Sequence, residues 1–591
     1  MLRHRSPIAC ALILGAWLAS ARGDPVVRTA TATIRGVTKR FTGAGLSRDV
    51  DIFKGVPYAE PPVGRLRFRP PRPRSLAGEL DARAFGMVCP QTGYGPDVPD
   101  PSVQSEDCLT LNLYVPKPAP QDGAVMVWIH GGAFQMGSGS GYDATALAAI
   151  GDVIVVTFNY RLGPLGFLST GDVVSPGNFG MLDQVQVLKW VQQNIQAFGG
   201  NPDKVTIFGE SAGGASVGMH LVSPASRGLF SRAIMQSGTG LTDFAFRPSG
   251  VADAMSLAEQ LACNTSSSRT MVSCLREVEA QVLVNSQPQQ MLKAKWIPVL
   301  DENFLPRSPR DSFQDGDFQR SAILLGTASD EGALMLLMEQ PLFLTMQNPG
   351  ISRPDYESII SNWADYMYGD AADLVTEAVL YRYTDWSDAS DSANRVQYVR
   401  QTTDFYFVCP TNQIADIYAG AGQNVYVYQL THRSGASNTP PWVGVRHADD
   451  VQYVFGFPLL PPYDLPEYEL QDETLSVNVI RFWSNFAHTG NPNRDADGTR
   501  LEDAPRWPKF SRNGTNSLAY KKLEPGLPNG RALRAEFCAF WDRYIPHVLN
   551  INSDLKISTR CRESAPAASS SLTISSRLFT VLFVLMICLL N

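Results

Sequence analysis

The stretch that most constrains the fold runs from residue 205 to 222. A short apolar, β-prone run at 205–208 is followed by Gly209-Glu210-Ser211-Ala212-Gly213 and then by a helix-compatible run. This order predicts a sharp strand-to-helix turn with Ser211 at its tip, because glycines on either side allow close approach of neighbouring backbone. Free N–H groups and the positive end of the helix dipole would then favour a developing oxyanion beside the serine.

The same glycine–serine pattern occurs a second time, at Gly214-Ala215-Ser216-Val217-Gly218. This copy lies inside the predicted helix and has no strand before it. A bare pattern of this kind arises by chance in roughly one chain of four. Context must therefore decide, and it selects Ser211 as the candidate nucleophile.

Apolar strands alternate with helical stretches along the chain. Strands are predicted at 124–129, 153–158, 205–208, 232–236, 322–325 and 425–428, and an amphipathic helix at 180–198. Such alternation predicts an α/β fold with a mostly parallel central sheet covered by helices on both faces. Residues 335–420 are predicted to be mostly helical, forming a large insertion that shapes the pocket.

Composition indicates a globular protein. The chain has 591 residues, is 44% hydrophobic and 18% charged, and carries a net charge of −7. Its motifs are spread from Glu106 to His447, which favours one large domain over two or three. The mild acidity gives no reason to expect a nucleic-acid partner, and no basic cluster stands out. We expect neither a metal nor a cofactor.

The first 21 residues are predicted to be a secretory signal peptide. Arg3 and Arg5 precede an apolar core at 8–18 and a small-residue cleavage site at 19–21. A transmembrane anchor is the alternative, but the core is too short to span a bilayer. Glycosylation acceptors at Asn264 and Asn513 agree with secretion. The catalytic domain is then expected over 22–548.

The C-terminus carries a second targeting pattern. An apolar tail of 13 residues, 578–590, ends one residue before the chain does, after small residues and a polar spacer. It is short for a membrane span and fits a GPI-attachment signal. We expect a stalk at 549–568 and a propeptide at 569–591 that is exchanged for the lipid anchor. A tail-anchored helix is the alternative.

Two of the nine cysteines lie in these terminal signals. The other seven are Cys89, Cys108, Cys263, Cys274, Cys409, Cys538 and Cys561. Spacing favours local loop disulfides for the first two pairs, and the third pair could join the last third of the domain. Cys561 is left over in the stalk, either as an interchain bridge that makes a homodimer or as an unpaired thiol.

A serine nucleophile needs a base and an acid to orient that base. In this kind of sheet the chain order is serine, acid, histidine. His447 follows the 425–428 strand in a loop with acids nearby, whereas His432 is predicted to be a solvated residue at the strand end. Asp330 and Glu331 both follow the 322–325 strand, and spacing alone does not separate them.

Two motifs resemble the signatures of the type-B carboxylesterase/cholinesterase family: 198–213, which includes the Ser211 turn, and Glu106-Asp107-Cys108-Leu109-Thr110-Leu111-Asn112. The resemblance covers roughly 30 to 545 and implies an α/β-hydrolase fold and a serine ester hydrolase. In that family the acid directly precedes a glycine, which implies Glu331, and the base maps to His447. The family's oxyanion hole maps to the backbone N–H groups of Gly132, Ala133 and Ala212.

The resemblance also bears on the cysteines and on close relatives. All three cysteine pairs fit the cholinesterase disulfide pattern, as does a stalk cysteine that dimerises the GPI-anchored form. The blocks at 167–172 and 447–456 are most similar to bile-salt-activated lipases. The loop at 137–152 is shorter than theirs, however, and their proline-rich tail is absent.

The substrate pocket departs from the cholinesterase pattern. Cholinesterases hold a quaternary ammonium group on aromatic faces, but 90–107 contains no tryptophan, only Tyr94. The aromatic position after the acid is Leu334. Where cholinesterases have acyl-pocket phenylalanines this chain has Leu292 and Ala294, while Glu210 is retained and Phe244 adds an aromatic ring.

These departures favour a broad or lipid-type carboxylic ester hydrolase that works through an acyl-enzyme intermediate. A cholinesterase is the alternative within the enzymes. An alternative of another class is a cell-surface adhesion protein of the same fold that has lost its nucleophile. Retention of Ser211 favours the enzyme.

Overall fold

The computed structural model describes residues 24–92, 100–286, 296–460, 468–500, 504–514 and 517–553. The expected signal peptide, Tyr94, Leu292, Ala294, Cys561 and the C-terminal signal lie outside these ranges. The strands are β1 (Val26–Arg28), β2 (Ala32–Arg35), β3 (Val37–Gly43), β4 (Leu46–Pro57), β5 (Gly78–Asp81), β6 (Thr110–Pro116), β7 (Gly123–Ile129), β8 (Ile154–Phe158), β9 (Gly200–Glu210), β10 (Arg232–Gln236), β11 (Ala322–Ala328), β12 (Val425–Leu430), β13 (Ala519–Leu523) and β14 (Asn529–Arg531).

Helices flank the sheet along the whole chain. They are α1 (Thr145–Gly151), α2 (Gly163–Phe167), α3 (Phe179–Asn194), α4 (Ala212–Val222), α5 (Val251–Gln260), α6 (Ser268–Glu277), α7 (Ala280–Asn285), α8 (Pro309–Gln314), α9 (Ala333–Glu339), α10 (Arg353–Tyr368), α11 (Ala372–Tyr383), α12 (Asp391–Thr403), α13 (Cys409–Gly420), α14 (Val451–Phe455), α15 (Leu470–Thr489) and α16 (Ala535–Ala539). One π-helical turn, Asp404–Val408, joins α12 to α13.

The main sheet has eleven strands within the described residues, in the order β14-β13-β12-β11-β10-β9-β7-β8-β6-β4-β3. Every pairing from β13 to β8 is parallel, and the pairings outside that range are antiparallel. The predicted α/β architecture is therefore confirmed. A separate three-stranded sheet is formed by β1, β2 and β5.

The central strands are continuous apolar runs because both faces of the sheet are covered. All residues of β7 and β8 are buried. Along β9, Phe208 packs on Trp128 on one face, with ring centroids 4.8 Å apart. Its neighbour Ile207 joins the core on the face that carries α4. This alternation fixes which side chains reach each layer.

The predicted helix at 180–198 ends earlier than its apolar periodicity suggested. α3 stops at Asn194, and a 3-10 turn continues to Phe198. The predicted helical insertion is present as α9 to α13.

Three disulfide bonds cross-link the described residues: Cys89–Cys108, Cys263–Cys274 and Cys409–Cys538. These are the pairs expected from the sequence. In the described part of the chain, no helix is long and apolar enough to cross a membrane.

Candidate active site

The turn that carries Ser211 lies between β9 and α4. Ser211 has φ 58° and ψ −123°, a conformation that L-residues rarely adopt. Its backbone N–H donates to the carbonyl of Gln236 at 2.8 Å, which ties the turn to β10. The residue is 5% exposed. The predicted strand–serine–helix arrangement is therefore present, with the serine held in a strained backbone conformation.

Close packing explains the glycines around this turn. A Cβ on Gly213 would lie 2.0 Å from the carbonyl oxygen of Ile129, and one on Gly209 would lie 2.6 Å from the same atom. A Cβ on Gly238 would meet the Ser211 carbonyl oxygen at 2.1 Å. Any side chain at these positions would push β7 or the following loop away from the turn.

Ser216, in the second copy of the pattern, has a different environment. It lies in the middle of α4 and is fully buried. Its Oγ donates to the carbonyl of Ala212 one turn earlier, at 2.8 Å. This hydroxyl is used within its own helix and does not face a cleft.

Glu331 and His447 are brought together although 116 residues separate them. His447 Nδ1 lies 2.5 Å from Glu331 Oε2. The other oxygen of Glu331 accepts hydrogen bonds from the Ala328 N–H at 2.6 Å and the Ser237 hydroxyl at 2.5 Å. Glu331 is fully buried, so these contacts fix both the carboxylate and the imidazole ring.

Asp330, the alternative acid, faces the other way. Its carboxylate accepts from the Val445 N–H at 3.0 Å and from the Ser329 hydroxyl at 2.6 Å. Its own N–H donates to the Val445 carbonyl. Asp330 thus braces the loop that leads to His447, and Glu331 is the neighbour that contacts the imidazole.

Glu210 approaches the opposite nitrogen of the imidazole. Its Oε1 lies 2.9 Å from His447 Nε2. No hydrogen bond joins the two atoms, and Nε2 has no hydrogen-bond partner among the described residues. Burial lowers the pKa of His447, but the charges of Glu210 and Glu331 outweigh it and raise that pKa well above its usual value.

A third carboxyl group, Asp450, lies behind this pair. Burial, with the nearby charge of Glu210, raises its pKa to about 7. It accepts from the Tyr428 hydroxyl at 2.5 Å and from Gln236 Nε2 at 3.0 Å. The sequence indicated only that acids lie near His447.

The glycine loop after β7 runs beside the serine. A Cβ on Gly131 would lie 3.1 Å from Cβ of Ser211. Gly132, Ala133 and Phe134 all have positive φ. In the described part of the chain, the N–H groups of Gly132 and Ala133 donate to no protein acceptor. Together with Ala212 at the start of α4, these residues supply free donors close to the serine.

His130 supports that loop from behind. Its ring stacks on Tyr160 at a centroid distance of 4.3 Å, and the Tyr160 hydroxyl donates to the His130 carbonyl at 2.9 Å. Its Nδ1 lies 2.9 Å from the Gly131 carbonyl oxygen. Within the described residues, no group of three His, Cys, Asp or Glu side chains could hold a metal ion.

An aromatic wall adjoins the histidine. The ring centroids of Phe407 and His447 lie 5.0 Å apart, and those of Phe244 and Phe407 lie 5.7 Å apart. The ring centroid of Tyr406 lies 6.1 Å from that of Phe244. Phe244 was predicted from the sequence, whereas Phe407 was not. The aromatic run that precedes Cys409 was the available signal. Its π-helical turn places Phe407 against the site.

The other residues singled out from the sequence differ in how far they are buried. Leu334 lies half-buried at the start of α9, and Asn264 and Asn513 are exposed. The prediction that His432 is solvated is wrong. Its side chain is 9% exposed, and Nε2 lies 2.9 Å from Asp472 Oδ1, because α15 packs over the end of β12.

Comparison with known proteins places the chain in a family. The carboxylesterase family model matches residues 23–541. Among similar proteins, acetylcholinesterase from Bungarus fasciatus is 38% identical over 565 residues, covering 91% of this chain and 89% of that protein. Acetylcholinesterase from Danio rerio is 37% identical over 588 residues, covering 91% of each. The chain belongs to the type-B carboxylesterase/cholinesterase family and is a carboxylic ester hydrolase.

Proposed function

We propose that the protein is an extracellular serine ester hydrolase in which Ser211 attacks, His447 transfers protons and Glu331 orients the histidine. The observation that carries this proposal is the convergence of three distant segments. Ser211 sits on a strained turn beside the glycine loop, and His447 is held by Glu331 and lies 2.9 Å from the carboxylate of Glu210, the residue before Ser211.

The chemistry follows from the positions of these groups. As Ser211 Oγ bonds to the ester carbonyl carbon, its proton passes to His447 Nε2 and the carbonyl oxygen becomes an oxyanion. The N–H groups of Gly132, Ala133 and Ala212 stabilise that oxyanion. The imidazolium then protonates the leaving alcohol, and water repeats the sequence on the acyl-enzyme to release the acid.

Glu210 and Glu331 flank the imidazole and stabilise its protonated form during each step. Their two negative charges raise the pKa of His447. This makes the histidine a stronger base but also leaves it protonated over a wider pH range.

For the substrate, we propose neutral esters with a broad or lipid-type acyl group. Leu334, Leu292 and Ala294 replace aromatic residues of the cholinesterase pattern. Each aromatic face lost would cost a cationic ligand about 0.5–2 kcal/mol. The wall of Phe244 and Phe407 offers an apolar surface for the acyl chain instead.

Choline esters are the second candidate substrates, favoured by the likeness to two acetylcholinesterases. The test compares acetylcholine with its uncharged isostere, 3,3-dimethylbutyl acetate, and with naphthyl butyrate on one preparation. We expect the highest kcat/KM for naphthyl butyrate. A strong preference for acetylcholine over its isostere would establish the cholinesterase alternative.

An adhesion role for the same fold is the alternative of another class. It is disfavoured because Ser211, Glu331 and His447 are all retained. Stoichiometric labelling of Ser211 by a fluorophosphonate probe would argue against it, and an unlabelled, folded protein would support it.

For location, we propose secretion, GPI anchoring and a dimer bridged by Cys561. The support is the pattern of the two chain ends. Phosphatidylinositol-specific phospholipase C should release the protein from cell membranes, and Cys561→Ser should abolish a dimer band on non-reducing gels. Retention after phospholipase treatment would favour the tail-anchored alternative, and an unchanged dimer band would reject the bridge.

A further inference from the structure

Five arginines and no acidic residue occur between positions 65 and 74, in Arg65-Leu66-Arg67-Phe68-Arg69-Pro70-Pro71-Arg72-Pro73-Arg74. We refer to this stretch as the arginine segment. The net charge of −7 for the whole chain conceals the local excess. Our expectation that the chain has no basic cluster is therefore wrong at this point.

Other arginines hold the backbone of the arginine segment in place. Arg67 is buried and pairs with Glu106, with Nε 2.7 Å from Oε1. Arg276 Nε donates to the Arg67 carbonyl at 3.0 Å, and one terminal nitrogen of Arg161 donates to the Arg69 carbonyl at 2.8 Å. The segment is thus a rigid part of the domain, so a ligand would lose little free energy in ordering it.

The other four arginines of the segment, Arg65, Arg69, Arg72 and Arg74, are exposed. Among the described residues, no carboxylate forms a salt bridge with any of them. Glu60 lies next to Arg72, because its N–H donates to the Arg72 carbonyl, yet the two side chains make no ion pair. As far as the described residues go, four guanidinium groups are therefore left for an external anion.

The shape of this surface limits what could bind there. Arg65, Arg69 and Arg72 line an open groove of about 580 Å³ with Leu66, Pro70 and Pro71. A planar bilayer cannot follow a concave groove, whereas one extended chain can enter it. Phe68 is fully buried, so the segment presents no aromatic face on which a nucleic-acid base could stack.

We propose that the arginine segment is a docking site for a linear sulfated polysaccharide. Guanidinium groups bind planar or tetrahedral oxyanions through paired N–H donors and lose less hydration free energy than ammonium groups. The biological occurrence of this contact rests on the proposed secretion, because such polymers are met outside the cell. The binding itself does not depend on that proposal or on catalysis.

The test uses heparin as the probe and the purified full-length secreted domain. The variant replaces Arg65, Arg69, Arg72 and Arg74 with glutamine. Loss of a surface ion pair weakens binding by about threefold, so we expect about 80-fold weaker binding in 150 mM NaCl. The slope of log affinity against log salt concentration should fall by about three to four. Hydrolysis of naphthyl butyrate should stay unchanged, which shows that the variant is folded.

The matched control removes the same charge elsewhere. Arg83, Arg227, Arg307 and Arg512 are each about half exposed, at 47–51% of the side chain, and their substitution by glutamine should leave heparin binding within about threefold of wild type. Equal losses in both variants would overturn the proposal, because net charge would then be the cause. Heparin binding unaffected in the first variant would also overturn it. The proposal would also be overturned if the first variant lost as much affinity for single-stranded DNA or for phosphatidylserine vesicles as it lost for heparin.

Discussion

Two serines five positions apart in the chain share one sequence pattern and are both buried, but they differ in backbone conformation and in the surroundings of the hydroxyl group. Ser211 caps α4 at a strained positive-φ position beside the glycine loop. Ser216 is in the helix interior, with its hydroxyl bonded to the Ala212 carbonyl. The glycines do not distinguish the two sites, because both copies contain glycines in close contact with backbone. We therefore propose that the backbone conformation at the serine, rather than the pattern, distinguishes a nucleophile from a structural serine.

The first prediction concerns the hydroxyl groups of the two serines. Ser211→Ala should reduce kcat for naphthyl butyrate by on the order of 10⁶, because it removes the hydroxyl that is proposed to form the acyl-enzyme. Ser216→Ala, the matched control, should retain kcat within about tenfold if the protein folds. Thermal unfolding of both variants separates loss of catalysis from loss of structure. Substantial activity in Ser211→Ala would refute the assignment.

The second prediction applies the same contrast to two adjacent acids. Glu331→Gln should lower kcat by about 10⁴, since an amide cannot hold the imidazole in the required tautomer or stabilise its charge. Asp330→Asn should cost less than about tenfold, because Asp330 contacts only the loop before His447. Steady-state kinetics of both variants with one substrate provide the measurement. Reversal of the two effects would make Asp330 the acid.

The third prediction concerns the last glycine of each copy of the pattern. A Cβ on Gly213 would lie 2.0 Å from the Ile129 carbonyl oxygen, and one on Gly218 would lie 2.2 Å from the Gly240 nitrogen. Alanine at either position should therefore lower the free energy of unfolding by about 3 kcal/mol or prevent folding. Gly228 has open space around it, and alanine there should cost about 1 kcal/mol from its positive φ. Denaturant titration of the three variants measures these free energies of unfolding. A small loss for the Gly213 variant alone would show that the backbone around Ser211 can shift to accommodate a methyl group.

The fourth prediction is a shift in the pH dependence of kcat/KM. The charge of Glu210 raises the pKa of His447, and the enzyme needs that histidine neutral to accept a proton. Glu210→Gln should therefore move the acid limb of kcat/KM to lower pH. The pH profile checks this against Glu259→Gln, an exposed acid on α5 that should leave the limb in place. If the acid limb of kcat/KM does not move in the Glu210 variant, the charge of Glu331 alone raises the pKa of His447.

Local features of the fold could be predicted from the sequence with little error. The strands at 124–129 and 232–236 lie almost where the apolar runs placed them, and the turn at Ser211 follows from its flanking strand and helix. These features depend on residues adjacent in the chain, whose propensities and periodicity act within one element. The two short disulfide loops were predictable for the same reason, since nearby cysteines have few other partners.

Contacts between distant segments were decided only by the tertiary structure. Spacing could not choose between Asp330 and Glu331, and only family resemblance favoured Glu331. The choice depends on which side chain of a short turn points at a histidine 116 residues later. His432 was misjudged because α15 covers it, and Phe407 was missed because a π-helical turn sets its direction. Sequence patterns determine which elements form, whereas packing between elements determines which side chains meet, because those contacts depend on how the whole core is filled.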